Sequence, residues 1–210
     1  MGMRRLLIAG LCTLVLVLAP QGGAGATPHG GGPGGPGYWP DSADHWFCFE
    51  SNVPSADYPI YQDAFQYLDN VTSMYDSQSS YCGSLTDVII SNTHPIPGCS
   101  NCLGMAPCIA KTGFLNLACE QGMEYVDTTN IWIASGGFSG DINVYWFNVI
   151  YNARHELGHT AGMGHSTNSP SVHVMAQGFY TDYGNWARWG FRSEDTCHVN
   201  EFFGGPACNH

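Results

Sequence analysis

Residues 155–165 read HELGHTAGMGH, and the rest of the chain is understood from them. On a helix, residues four apart face the same way, so His155 and His159 present two imidazoles to one point in space. Glu156 stands beside them, placed to take a proton from a water that a metal ion has acidified. Gly162 can leave the right-handed helical region without steric cost, which lets the chain turn and bring His165 back as a third nitrogen donor. Three imidazoles with a fourth position open are the arrangement of a catalytic zinc, whereas a structural zinc is closed by four protein ligands. Chance is a poor explanation. With 9 His and 6 Glu in 210 residues, His-Glu-x-x-His arises in about 1 in 100 chains of this composition, and the full spacing in about 6 in 100,000.

Upstream of the motif, Asp141 can cap the helix that carries it. Ile142, Trp146, Ile150, Ala153, Leu157 and Ala161 form an apolar stripe, and Asn148, Asn152, His155 and His159 a polar one. Leu157 lies about 200° around the axis from His155. One face is therefore expected to pack in the core while the histidine face looks into a cleft. Two core histidines with satisfied hydrogen bonds would leave the carboxylate at 156, and the Gly-x-x-His that follows, without a reason.

Further upstream, Tyr61, Ala64, Phe65, Leu68, Val71 and Tyr75 recur at helical spacing and predict an amphipathic helix over 60–76. Three short runs, 87–91, 113–118 and 130–134, are rich in β-formers and predicted as strands. Pro95, Pro97, Gly98, Gly104 and Pro107 punctuate the loops between them. Beyond His165 no period is evident, so an irregular C-terminal part is expected.

The chain opens MGMRRLLIAGLCTLVLVLAP. Arg4 and Arg5 precede an apolar run over 6–19, and Ala24-Gly25-Ala26 follows. A basic start, a short apolar core and an A-x-A site are those of a secretory signal peptide, expected over residues 1–26. The run is short for a bilayer span. Residues 27–43, beginning TPHGGGPGGPGYWP, read as a Gly/Pro-rich linker or short leader. Residues 44–210 read as one catalytic domain, long enough to bury a core. The expected location is extracellular.

Without Cys12 of the leader, eight cysteines remain: Cys48, Cys82, Cys99, Cys102, Cys108, Cys119, Cys197 and Cys208. An even number in an exported chain implies up to four disulfides, whose pairing the sequence leaves open. Cys99-x-x-Cys102 also fits a redox pair or half of a second zinc site, but export and the nearby Cys108 and Cys119 favour disulfides. Cys197 and Cys208 are expected to tie the C-terminal part to itself or to the N-terminal half. Without Arg4 and Arg5, 4 basic residues face 17 acidic ones, a formal charge of −13. That balance argues against nucleic acid and anionic membranes as partners.

The residues at the motif resemble those of the metzincin zinc endopeptidases. His155, Glu156, His159, Gly162 and His165 match the whole His-Glu-x-x-His-x-x-Gly-x-x-His pattern, and Ser166 follows the last histidine as in the matrixin branch. The resemblance implies an α+β fold of the metzincin-like zincin type. It would have a five-stranded mixed sheet, a long active-site helix and a smaller irregular C-terminal subdomain, here stapled by disulfides. It implies one catalytic Zn2+ on His155, His159 and His165, with Glu156 as general base and a methionine turn beneath the metal. Met175, ten residues beyond His165, suits that turn. Two departures stand out. No cysteine-switch propeptide precedes the domain, and the Ala-Gln-Gly-Phe-Tyr after Met175 lacks the Pro-x-Tyr wall of a matrixin specificity pocket.

The chain is thus expected to be a secreted zinc metalloendopeptidase, monomeric, with a protein or peptide substrate and with neither nucleic acid nor membrane as partner. Tyr180 and Tyr183 are candidate phenols to stabilise an oxyanion. For a structural Ca2+, the sequence offers only Asp182, Glu194 and Asp195, isolated acids on an acidic surface. Two other readings stay open. A disulfide-stapled binding module with structural zinc needs a fourth ligand and leaves Glu156 without a purpose. A zinc hydrolase on a non-peptide substrate is allowed by His-Glu-x-x-His alone.

Overall fold

The structure is a computed structural model that describes residues 39–113, 118–165, 174–176, 190–206 and 208. The leader at 1–26 lies outside them, as do Ser166, Tyr180, Asp182 and Tyr183. Seven strands form one sheet: β1 (Trp39–Pro40), β2 (Asp44–Phe49), β3 (Tyr75–Gln78), β4 (Val88–Asn92), β5 (Gly104–Met105), β6 (Cys108–Thr112) and β7 (Ala118–Val126). The helices are α1 (Tyr58–Val71), α2 (Thr128–Ala134), α3 (Ile142–Thr160) and α4 (Ser193–Phe202), with a 3-10 turn at Gly137–Ser139.

The sheet is mixed, as expected, but has seven strands where five were expected. β3, β2, β4 and β7 run parallel in that order, and β1 is parallel to β7. β5 and β6 are antiparallel to β7. Ala118 pairs with both Trp39 and Thr112, and Gly122 with both Val88 and Cys108. A strand has two edges, so β1 and β4 share one edge of β7 while β5 and β6 share the other. The higher count comes from two-residue pieces set end to end with longer ones. β1 already belongs to the sheet, although it falls in the stretch read as linker.

Two sequence expectations change here. Residues 130–134 form most of α2 rather than a strand, because Asp127 caps a helix there, its carboxylate accepting from Asn130 N at 2.8 Å. The helix expected over 60–76 ends at Val71, where Thr72 Oγ1 donates to Leu68 O at 2.8 Å. Tyr75 then opens β3. The predicted strand at 87–91 appears as β4. The run at 113–118 reaches only the start of β7, and 114–117 lie outside the described residues.

The core sits between the sheet and α1 with α3. Phe47, Phe65, Leu68, Val88, Ile90 and Val126 are buried there with Val149, Ala153 and Leu157 of α3. Phe47 and Phe65 stack with centroids 3.9 Å apart. α3 is not amphipathic in the expected way. Ile142 and Trp146 are 49% and 42% exposed, whereas from Phe147 onward nearly every side chain is covered. The second half of α3 has the sheet on one side and residues 174–176 and 191 on the other.

The C-terminal part contains the ten-residue helix α4 instead of being wholly irregular. Asp195 caps it, accepting from Arg192 N at 3.2 Å, which occupies one of the acids offered for calcium. The disulfides join Cys48 to Cys82, Cys99 to Cys102, Cys108 to Cys119 and Cys197 to Cys208. Loop-closure entropy makes Cys48–Cys82, spanning 34 residues, worth about 4 kcal/mol and Cys99–Cys102 about 2 kcal/mol.

Candidate metal centre

α3 places His155 and His159 one turn apart, both buried. Asp141 starts the helix as expected, its carboxylate accepting from Asn143 N at 2.8 Å. The turn after the helix uses the predicted glycine. Gly162 has φ of +88°, a conformation costly for residues with a Cβ. A Cβ there would also stand 2.8 Å from the ring of Trp39 in β1. Past this turn, His165 swings back against the helix.

The three Nε2 atoms converge. They are 3.2 Å apart for His155 and His159, 3.1 Å for His155 and His165, and 3.0 Å for His159 and His165. Three nitrogens about 2.0–2.1 Å from one tetrahedral zinc would stand about 3.3 Å from each other. The outward nitrogens decide which tautomer is present. His155 Nδ1 donates to Val174 O and His159 Nδ1 to Met163 O, each at 2.7 Å. Their Nε2 atoms therefore carry lone pairs aimed at one another, an arrangement that repels unless a cation lies between them. Burial also disfavours the charged form of two of the imidazoles. It lowers His159 to about 4, with His165 adding to the effect, and it lowers His165 as well. The donor set fits zinc. Among the described residues no fourth His, Cys, Asp or Glu joins it.

Met175 is fully buried. A Cβ on Gly158, within the motif, would overlap its sulfur and come 2.8 Å from Phe191, so the thioether lies against α3 between the two histidine turns. Its segment is held from both sides. The Tyr151 hydroxyl donates to Ala176 O, and Val174 N donates to Gly190 O at 3.0 Å. Val174 O is the carbonyl that orients His155.

Glu156 is buried beside the triad, and burial raises its carboxyl to about 8. A divalent charge at the triad acts in the opposite direction. β5 runs close past it. A Cβ on Gly104 would lie 2.7 Å from Glu156 Oε1 and would overlap Asn152 Oδ1, so only glycine lets the strand pass. On the sheet side of the helix stands Glu124 of β7, 1% exposed, with no partner for either carboxylate oxygen among the described residues. Nothing in the sequence marked Glu124 or Gly104 for the site, nor the carbonyls of Met163 and Val174.

Other titratable groupings among the described residues do not join the triad. His45 pairs with Asp76 at 3.0 Å and His94 with Asp127 at 2.9 Å. His198, Glu201 and Cys208 also approach one another, but Cys208 is bonded to Cys197 and offers no thiolate.

No family model and no curated protein matches the chain. Among solved structures, it is similar to archaemetzincin from Methanopyrus kandleri, with a TM-score of 0.50 and 15% identity, over 77% of this chain and 97% of that one. The likeness spans nearly all of that protein and is one of fold.

Proposed function

We propose that the protein is a secreted zinc metalloendopeptidase, with His155, His159 and His165 as the metal ligands and Glu156 as general base. The observation that carries this is the convergence of three imidazole Nε2 atoms within 3.2 Å of one another beside a buried carboxyl. The similar fold of an archaemetzincin supports it. The leader-like N-terminus and four disulfides support export.

When bound, zinc would acidify water toward a pKa of about 7 and polarise a carbonyl. The chain supplies the rest. Val174 O and Met163 O keep both helix histidines in the tautomer that ligates. The Glu156 carboxylate takes the proton of the attacking water and passes it to the leaving amine nitrogen. Met175 forms the apolar floor beneath the histidines. The outer edge of β5 and β6, to which no described strand pairs, lies beside Glu156 and takes an extended peptide as an added strand. Tyr180 and Tyr183 remain the candidate oxyanion phenols from sequence alone.

Chelation tests the reading. Removing metal with a chelator should abolish cleavage of an unfolded protein substrate, and one equivalent of zinc should restore it. Cleavage that survives complete metal removal would overturn the proposal.

A further inference from the structure

Glu124 is the least expected side chain in the molecule. It lies on β7 with neighbours two residues away on either side, Gly122 and Val126, facing the helices. Among the described residues neither of its oxygens meets a hydrogen-bonding partner. The Tyr61 hydroxyl of α1 and Asn152 Oδ1 of α3 are buried as well, with no hydrogen-bonding partner among the described residues. These four atoms belong to one neighbourhood. The charge of Glu124 bears on Tyr61 and that of Glu156 on Glu124, and one point beside Gly104 touches both Asn152 Oδ1 and Glu156 Oε1. An apolar residue at 124 would avoid the cost of burying a carboxyl without partners. Polar atoms in such a place are bridged by ordered water, and here Asn152 and Glu124 lie near the carboxyl of Glu156.

We propose that Glu124 is a positioning residue for Glu156. With Tyr61 and Asn152 it forms a polar chamber behind the base, and water bridging that chamber holds the Glu156 carboxylate toward the triad. The inference rests on the peptidase reading. It concerns turnover and not metal binding, because none of the three residues joins the histidine nitrogens.

Glu124→Leu, Glu124→Gln and Tyr61→Phe test it, each assayed for zinc content, melting temperature, kcat and KM. Glu124→Leu should keep zinc, melt at or above the wild-type temperature, and lose about 10- to 100-fold in kcat with KM little changed. Glu124→Gln, which keeps a donor and an acceptor, should recover most of that loss. Tyr61→Phe should lose about 3- to 10-fold in kcat. An active wild type with an equally active Glu124→Leu overturns the inference. If Glu124→Leu does not fold, an unchanged kcat in Tyr61→Phe overturns it. A wild type that cleaves nothing removes the peptidase reading and this inference with it.

Discussion

Two buried polar groupings flank the second half of α3, and they are built in opposite ways. On the side of α3 expected from the sequence to face a cleft, His155 and His159 each have their outward nitrogen bonded to a backbone carbonyl at 2.7 Å, and their inward nitrogens converge with that of His165. On the sheet side, Glu124, Tyr61 and Asn152 carry buried atoms with no partner among the described residues. The first grouping is preorganised for a cation that completes it. The second is incomplete without water. The difference teaches which function each serves. Changes on the cleft side should alter metal affinity, and changes on the sheet side should alter turnover while zinc stays.

The most severe way to break this division is His159→Ala. Removing one of three ligands, and the one bonded to Met163 O, should cost zinc binding and lower cleavage by at least about 1000-fold. Metal analysis beside the activity assay checks it. A variant that loses cleavage but keeps stoichiometric zinc would contradict the cleft-side assignment. Gly104→Ala probes the other side. Its Cβ has to displace Asn152 and stands 2.7 Å from Glu156 Oε1, so cleavage should fall about 10- to 100-fold with zinc content unchanged. Loss of zinc in this variant would merge the two groupings into one. The smallest expected effect sharpens the cleft side. Tyr151→Phe releases Ala176 O and loosens the segment whose Val174 O orients His155. Zinc affinity should weaken about tenfold, read by competition with a chromogenic chelator.

The motif was legible because its information is local. His155, His159, Gly162 and His165 are fixed by helix period and by one glycine turn, and the structure brings them together as that spacing predicts. The helix cap at Asp141 and the buried face of α1 were legible for the same reason. The sheet was less so. β7 contains Glu120, Gln121, Gly122 and Glu124, poor β-formers, and it is a strand because β4 and β6 bond to it along both edges. Conversely, Ile131, Trp132 and Ile133 favour a strand, yet the Asp127 cap makes α2. Glu124 was illegible in principle. Glu120 and Glu124 look alike in sequence, and only the packing of α1 and α3 over the sheet makes one exposed and the other buried.

The most direct test is digestion of an unbiased peptide library by the mature protein beside Glu156→Gln, with zinc measured in both. The account predicts about one zinc in each and cleavage by the wild type alone, with turnover in the variant lower by at least about 1000-fold. Equal cleavage by the two proteins, or no zinc in either, would contradict it.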